Sequence, residues 1–360
     1  QKYRLNKKIN NLQLNIMKHL FYVHSHITFL ICKQYIIDNH INYQDCTFIS
    51  LRSYCLPQSL IKAGVSTINY PQDVYEGKTT RVFQGFHLKK SYCNLKKLEK
   101  VINQHINNQP FAFYIPNTQA NDFVNVVVTM NNCSCYYLIE EGSASYTKIS
   151  QLPKFQSGVS DIIYKWFLRP FLKRFYILRD NMYSTNYYKY VGTIASSSSA
   201  FPNYIGQHII IQNPFEKEFL PFHPEIILSV DPLFFHFDID YVEIIYQKLS
   251  SVLSSFDKRI VYKFHPEFYK RPEILSQYTI LLQKVFGTSI FELDQNIIIE
   301  NILNTYHCNF YSDFSSIGIY GNILNCKCYS YANLAKGYSN LYDEKVSKLP
   351  KILRDSYIFL

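Results

Sequence analysis

The stretch HLFYVHSHITFLICKQYIIDNHI, residues 19–41, decides the fold class. Its first seven residues are mostly apolar and aromatic, which is typical of a buried β-strand. A buried strand that leads through a short loop into a helix is the usual start of an α/β domain. We therefore predict an α/β fold. The helix is indicated by apolar residues at helical spacing, namely Ile27, Leu30, Ile31, Tyr35 and Ile36.

The same alternation of strands and helices runs along the first half of the chain and begins again in the second. Ligands of such α/β domains bind beyond the carboxyl ends of the strands. The two successive alternations of strands and helices predict two tandem Rossmann-like domains. In the first half we predict strands at 46–52, 111–116 and 135–142 and a helix at 94–107, with 121–132 ambiguous between strand and helix. In the second half we predict strands at 208–212, 225–230 and 259–264 and helices at 241–256 and 296–306.

Domain boundaries follow from changes in composition. Residues 1–17 are basic and Asn-rich, and we predict a flexible extension there. The stretch 181–206 is polar and rich in Ser and Tyr, which is typical of a connection between domains. We predict a first domain at 18–190, a linker at 191–207, a second domain at 208–340 and a C-terminal helical segment at 341–360.

Composition limits the classes of protein to which the chain can belong. With 360 residues, 47% of them hydrophobic and 18% charged, it suits two globular domains. No apolar run is long enough for a transmembrane helix. The formal net charge of +10 suits an anionic partner. The nine Cys residues include two CxC pairs, 133/135 and 326/328, without further ligands at zinc spacing. We expect reduced structural thiols and a reducing cytoplasm.

Three polar motifs follow predicted strands. They are Glu140-Glu141-Gly142, then Lys263-Phe264-His265-Pro266, then Ser315-Ser316 at the start of a helix. Each alone is most often a turn or a helix cap. Together, at comparable strand ends of two domains, they favour a ligand site.

The tetrapeptide FHPE occurs twice, at 222–225 and 264–267. His223 precedes a predicted strand, so we expect it to have a structural or surface role. His265 follows one, which is where α/β domains bind ligands. His265 is therefore the chemical candidate.

In their order and spacing, these motifs resemble those of bacterial sialyltransferases of the GT-B type, which include lipooligosaccharide sialyltransferases and capsule polysialyltransferases. The resemblance covers roughly residues 18–345 and implies a GT-B fold, two tandem Rossmann-like domains with a cleft between them. Glu300 lies 15 residues before Ser315, much as a ribose-binding Glu does in those families. Their first motif is commonly Asp-Asp-Gly, and Glu-Glu-Gly is nearer to the polysialyltransferases. In some members the base instead follows the first strand of the second domain, where Asp231 stands here.

The resemblance implies inverting transfer of sialic acid, or a related nonulosonic acid, from a CMP donor to a lipooligosaccharide or capsule glycan. Glu140 or Glu141 would be the base, with Asp231 as the alternative. His265 would be the general acid. Lys263, Pro266, Glu300, Ser315 and Ser316 would bind the CMP donor, while His24 and Ser25 would contact the acceptor. We expect neither cofactor nor essential metal, because no DxD-like motif lies at these strand ends.

Other interpretations and partners stay open at this point. One alternative is a GT-B transferase with another sugar nucleotide, such as CMP-Kdo. A nucleic-acid-binding protein is disfavoured because the basic residues are dispersed. The basic aromatic stretch 165–175 is typical of a helix packed on the core, with contact to anionic membrane lipid as its alternative. We expect an enzyme of the bacterial cytoplasm. Binding to the cytoplasmic face of the inner membrane and assembly into an oligomer both stay open.

Overall fold

A computed structural model describes residues 17–50, 54, 56–69, 85–118, 121–148, 183–253, 259–287 and 290–360. The chain divides into two compact units, Gln1–Pro214 and Phe215–Leu360. The basic extension and the stretch 165–175 fall outside the described residues, apart from Met17.

The first unit is built on a parallel sheet of seven strands in the order β3-β2-β1-β4-β5-β6-β7. The inner strands are almost continuously apolar, because helices on both faces of a parallel sheet leave no solvent-facing side. The strands are β1 (Lys18–Val23), β2 (Cys46–Ser50), β3 (Ser66–Asn69), β4 (Phe111–Ile115), β5 (Cys133–Ile139), β6 (Tyr190–Ala195) and β7 (Gln207–Ile210).

Four α-helices lie in the described part of the first unit. Ser25 begins α1 with a capping box, in which the Ser25 hydroxyl and the Thr28 side chain each accept from the other residue's backbone N–H. The ambiguous stretch 121–132 contains a helix, because the parallel strands β4 and β5 need a crossover connection. The helices are α1 (His26–Asp38), α2 (Gln58–Lys62), α3 (Gly85–His105) and α4 (Asn121–Thr129).

The second unit repeats this topology with a parallel sheet of six strands in the order β10-β9-β8-β11-β12-β13. Its strands are β8 (Ile226–Val230), β9 (Ile260–Phe264), β10 (Phe291–Glu292), β11 (Asn309–Ser312), β12 (Cys328–Ser330) and β13 (Ile358–Phe359). Its helices are α5 (Ile239–Leu253), α6 (Pro272–Phe286), α7 (Ile299–Tyr306), α8 (Ile317–Ile323), α9 (Ala332–Ala335), α10 (Asn340–Ser347) and α11 (Lys351–Asp355).

In both sheets the first strand lies inside, the next two extend to one side, and the later ones extend to the other. This is the doubly wound Rossmann order, in which ligands bind where the direction of winding reverses. The reversal lies between β1 and β4 in the first unit and between β8 and β11 in the second. The predicted α/β fold of two tandem Rossmann-like domains is confirmed.

The predicted linker at 191–207 is wrong. Most of it is β6 and the loop to β7, and both strands belong to the first sheet, so the boundary between units follows Pro214 instead. The Ser-rich turn after β6 gave this region its polar composition, although β6 itself is largely buried. Gly192 permits the close pairing of β6 with β7, since a Cβ there would lie 1.9 Å from the carbonyl oxygen of Gln207.

The C-terminal segment 341–360, predicted to be helical, also contains a strand. After α10 and α11, β13 pairs with β12 and extends the second sheet, so the last residues belong to the sheet of this unit. Cys133 and Cys135 are both buried, with the exposed Ser134 between them, as a shared strand face requires. All cysteines in the described ranges are free thiols. Among those same residues, no helix has the length and apolarity to cross a membrane.

Candidate functional site

Polar side chains cluster at the carboxyl ends of four neighbouring strands of the first sheet. His24 follows β1, Asn117 follows β4, the Glu140-Glu141 pair follows β5, and Ser196 follows β6. Since β1 and β4 flank the reversal of the sheet, this cluster lies where doubly wound domains bind ligands. We name it the Glu141 cluster.

Glu140 and Glu141 have different environments. Glu140 is 0% exposed. One of its oxygens accepts from the Tyr146 hydroxyl at 2.5 Å, and the other accepts from the Ser196 N–H at 2.7 Å and the Ser196 hydroxyl at 2.8 Å. Burial, and then the charge of Glu140, raises the pKa of Tyr146, so this phenol stays protonated as a donor. Glu140 therefore ties β5 to the turn after β6, and its complete burial keeps it from a substrate.

Glu141 retains a small exposed area. The Asn117 amide donates to its Oε2 at 2.6 Å, and the Tyr183 hydroxyl donates to its Oε1 at 2.7 Å. His24 Nε2 lies 3.4 Å from Oε2, and the His24 and Glu141 side chains are 5% and 7% exposed. Two neutral donors thus orient the carboxylate, and an imidazole contacts it. A carboxylate held in this way can accept a proton from a bound hydroxyl.

Ser25 stands next to His24 but has a structural contact. Its hydroxyl accepts from the Thr28 N–H at 3.4 Å and lies 3.1 Å from the Thr28 hydroxyl, so it caps α1. Of the two residues predicted to touch the acceptor, the structure therefore brings only His24 to Glu141. Acceptor contact by either residue stays a prediction.

In the second unit, two buried carboxylates flank the reversal of the sheet. Asp231 follows β8 and Asp313 follows β11, and they are 6% and 4% exposed. Asp231 Oδ2 accepts from the Asp313 N–H at 2.7 Å and from the Tyr331 hydroxyl at 3.0 Å. Tyr342 donates to Asp313 Oδ1. Burial raises the pKa of both carboxyls, and burial together with the charge of Asp231 raises the pKa of Asp313 to about 7.

His265 follows β9 and is exposed. Its Nδ1 accepts from the Glu267 N–H at 3.2 Å, so the neutral imidazole carries its hydrogen on Nε2. Partial desolvation lowers the pKa of His265, while the negative charge of Asp231 acts in the opposite direction. Asp231 is therefore an electrostatic neighbour of His265 as well as a buried hydrogen-bond acceptor. The exposed Pro266 follows directly in the turn after β9.

The other FHPE copy has no comparable surroundings. His223 Nδ1 lies 3.0 Å from the Pro224 carbonyl oxygen, and its ring packs edge-on against Tyr306 at 4.9 Å between centroids. It lies in the loop that leads into β8, at the amino end of the strand. His223 thus lies at the amino end of one strand and His265 at the carboxyl end of another, as their positions in the sequence predict.

Lys263 and Glu300 interact electrostatically. Lys263 Nζ donates to the Ile297 carbonyl, which precedes α7, and Glu300 lies in the first turn of that helix. Burial lowers the pKa of Lys263, and the charge of Glu300 opposes the shift. Burial raises the pKa of Glu300, and Lys263 opposes that shift in turn. The two groups therefore stabilise each other in their charged forms.

An open surface pocket of about 420 Å³ lies at the end of β10. Asp294, which lines it, also acts electrostatically on Lys263. The pocket therefore lies near Lys263. Its lining residues are Tyr269, Glu292, Leu293, Asp294 and Gln295.

Ser315 and Ser316 form the turn between β11 and α8. The Ser315 N–H donates to the Tyr357 hydroxyl at 3.1 Å, and the Ser315 hydroxyl accepts from the Ile317 N–H at 3.2 Å. Ser316 is the capping residue of α8, but its side chain makes no capping hydrogen bond. Within the described residues, its hydroxyl is therefore not committed to the helix end.

Several residues of these clusters escaped the sequence predictions. Asn117 could have been found because it directly follows the predicted strand 111–116, and Asp313 because it stands two residues before the Ser315-Ser316 motif. The tyrosines that orient the carboxylates could not, since they come from distant segments and one Tyr among 32 carries no signal. The missed residues are Asn117, Tyr183, Ser196, Asp313, Tyr331, Tyr342 and Tyr357.

Neither a family model nor a curated protein matches the sequence. Among solved structures, the chain is similar to one described as a candidate UDP-N-acetylglucosamine 2-epimerase from Listeria monocytogenes, with a TM-score of 0.50 and 9% identity over 92% of this chain and 89% of that one. It also matches a glycosyltransferase from Rickettsia africae, with a TM-score of 0.45 and 12% identity over 95% and 92% of the two chains. A third match is MurG from Acinetobacter baumannii, with a TM-score of 0.38 and 8% identity over 94% of each chain. The first likeness supports the fold alone, a GT-B-type pair of Rossmann-like domains, and the two weaker ones add no argument.

Proposed function

We propose that the protein is an inverting glycosyltransferase that moves sialic acid, or a related nonulosonic acid, from a CMP donor to a glycan hydroxyl. Three features support the proposal: the GT-B-type fold, the motif order in the sequence, and the polar clusters at the reversal of each sheet. The observation that carries it is the Glu141 cluster. There, Asn117 and Tyr183 orient a single accessible carboxylate, and His24 contacts it at 3.4 Å.

In this proposal Glu141 is the general base. Its carboxylate takes the proton of the acceptor hydroxyl while that oxygen forms a bond to the anomeric carbon of the donor. The bond from that carbon to the phosphate oxygen of CMP breaks, and the phosphate leaves with the electron pair. Glu140 does not share this role, because it is fully buried and hydrogen-bonded within the protein.

The second unit would bind the donor and receive the charge of the leaving phosphate. His265, in its imidazolium form, gives the Nε2 proton to the leaving phosphate oxygen as the general acid and becomes neutral. The hydroxyls of Ser315 and Ser316 add donors, and Lys263 adds positive charge. Glu300 accepts from the ribose hydroxyls, and Pro266 shapes the turn that carries His265.

Asp231 has a supporting role in this scheme. Its Oδ2 already accepts two hydrogen bonds and its side chain is buried, which does not suit a base that must reach an acceptor hydroxyl. Its charge favours the protonated form of His265. We therefore propose that Asp231 assists the acid and that Glu141 is the base.

A second candidate donor is a UDP-sugar. The specific observation in its favour is the fold likeness to a protein described as a candidate UDP-N-acetylglucosamine 2-epimerase. The same serine hydroxyls and the same Lys263 could face a diphosphate. We place the CMP donor first because the order of the three motifs resembles that of the sialyltransferases.

The test is nucleotide release from CMP-N-acetylneuraminic acid and, separately, from UDP-N-acetylglucosamine, each with a panel of galactosyl and sialylated acceptors. We expect CMP release that depends on an acceptor. His265→Ala should lower turnover about a hundredfold or more, the usual contribution of a general acid. His223→Ala, in the same tetrapeptide, is the matched control and should retain wild-type turnover.

Three results would contradict parts of this proposal. Release of UDP alone would favour the second candidate. An unimpaired His265→Ala would remove the assigned acid even if CMP is released. Release of neither nucleotide, with no binding of CMP or UDP, would refute glycosyl transfer.

Two further properties need separate measurements. Sedimentation with anionic lipid vesicles would test contact with a membrane, and light scattering would give the oligomeric state.

A further inference from the structure

Tyr357, directly before β13, makes three hydrogen bonds to the segment that carries Ser315 and Ser316. Its hydroxyl donates to the Ser315 carbonyl at 2.8 Å and accepts from the Ser315 N–H at 3.1 Å. It also lies 2.9 Å from the Ser312 hydroxyl. A phenol has one hydrogen, and here it goes to the Ser315 carbonyl, so Ser312 must be the donor in the third bond. The oxygen is fully used within the protein.

The ring of Tyr357 also fixes the start of α8. A Cβ built on Gly318 would lie 2.3 Å from the ring carbon Cζ, so the helix backbone packs directly against the phenol. Any larger residue at this position would displace either the helix or the ring. Tyr357 therefore contacts the residues on both sides of Ser316.

Neighbouring bonds hold Tyr357 itself in place. The Asn322 amide of α8 donates to the Ser356 carbonyl at 2.6 Å, and the Leu360 N–H donates to the Ser330 carbonyl at 3.0 Å. Tyr357 is 7% exposed, so its own hydroxyl is not placed to bind a ligand. Its contacts restrain the turn, and the Ser316 hydroxyl is left uncommitted at its tip.

We propose that Tyr357 is a positioning residue that holds the Ser315–Ser316 turn in the geometry that receives a phosphate of the nucleotide. This inference rests on the proposed function, because that function assigns the phosphate to these serines. Tyr357 acts through Ser315 and the α8 backbone. Loss of the Tyr357 hydroxyl should therefore weaken nucleotide binding because it weakens the contact of Ser316 with the phosphate.

The experiment is a double-mutant cycle with Tyr357→Phe and Ser316→Ala, with CMP affinity measured by calorimetry. Tyr357→Phe removes the oxygen but keeps the ring against Gly318, and we expect binding about tenfold weaker, as for the loss of a hydrogen-bonded anchor. In the Ser316→Ala background, the same change should weaken binding about twofold or less. Tyr278→Phe, which removes a buried phenol oxygen on α6 of the same unit, is the control and should bind CMP as the wild type does.

The outcomes separate this inference from the proposed function. If the wild type binds neither CMP nor UDP, the proposed function fails and the inference fails with it. If the wild type binds CMP and Tyr357→Phe binds it equally well, only the inference fails. Equal losses in both backgrounds would show a general loss of stability and would also refute it. Ser312→Ala removes the donor to Tyr357 and gives a second, milder test, in which weaker CMP binding is expected if Tyr357→Phe does not fold.

Discussion

The buried Asp313 should make the second unit less stable as the pH rises. Burial and the neighbouring charge of Asp231 raise the pKa of Asp313 to about 7, against an ordinary value near 3.8. The folded protein therefore keeps this proton over about three pH units in which the unfolded chain has lost it. At ~1.4 kcal/mol for each pH unit, ionisation costs up to about 4 kcal/mol of unfolding free energy. This stability is fully present below about pH 4 and is lost as the pH rises to about 7.

Asp313→Asn removes the titration and keeps an acceptor for Tyr342, which donates to Oδ1. Burial also raises the pKa of Asp231, so ionisation of Asp231 likewise lowers stability as the pH rises. Lys345 is the positive group that partly offsets the charge of Asp313. Relative to the wild type, we therefore expect Asp313→Asn to gain up to about 4 kcal/mol between about pH 4 and about pH 8.

The assay is urea unfolding of both proteins at a series of pH values across that range. Asp240→Asn is the control, since it removes an exposed carboxylate from the same unit and changes the net charge equally. Its stability should follow the wild-type pH dependence. If the curve for Asp313→Asn also runs parallel to the wild type, Asp313 does not titrate in the folded state as we infer, and the reasoning is refuted.

Three further changes test the fold around the two sites. Tyr146→Phe removes a donor to the buried Glu140 and should cost about 1–3 kcal/mol of unfolding free energy; an unchanged denaturation midpoint would contradict the structural role of Glu140. Gly192→Ala would place a Cβ 1.9 Å from the Gln207 carbonyl oxygen, so a large drop in melting temperature is expected, and a neutral result would mean that β6 and β7 do not pair in this register. Leu249→Ala empties a fully buried position of the second core and should cost about 2–5 kcal/mol in urea unfolding, whereas a loss below about 1 kcal/mol would exclude that burial.

Most of the fold could be predicted because buried parallel strands consist of short runs of apolar residues. β4 and β9 fall inside the predicted strands, and α7 falls inside a predicted helix. β1 and α5 overlap their predictions but begin one and two residues earlier. β6 was missed because it contains a Gly and borders a Ser-rich turn, so its composition matched that of a loop. β13 has only two residues, too few for any period to show.

The candidate site could be predicted only where its residues adjoin strands. Glu141, Asp231 and His265 each stand within two residues of an apolar run, and the rule on ligand sites in α/β domains then applies. The sequence could not show that Glu140 is enclosed and Glu141 accessible. That distinction depends on Ser196 and Tyr183, which lie more than 40 residues further along the chain.

The most direct test of the central claim is the acceptor-dependent rate of CMP release from CMP-N-acetylneuraminic acid by Glu141→Gln. The glutamine keeps the shape of the side chain but cannot take up a proton, so we predict that kcat falls by about a hundredfold or more while CMP affinity is unchanged. Glu99→Gln, on α3 of the same unit, is the matched control and should show the wild-type rate. A Glu141→Gln variant that transfers sialic acid at the wild-type rate would contradict the assignment of Glu141 as the base.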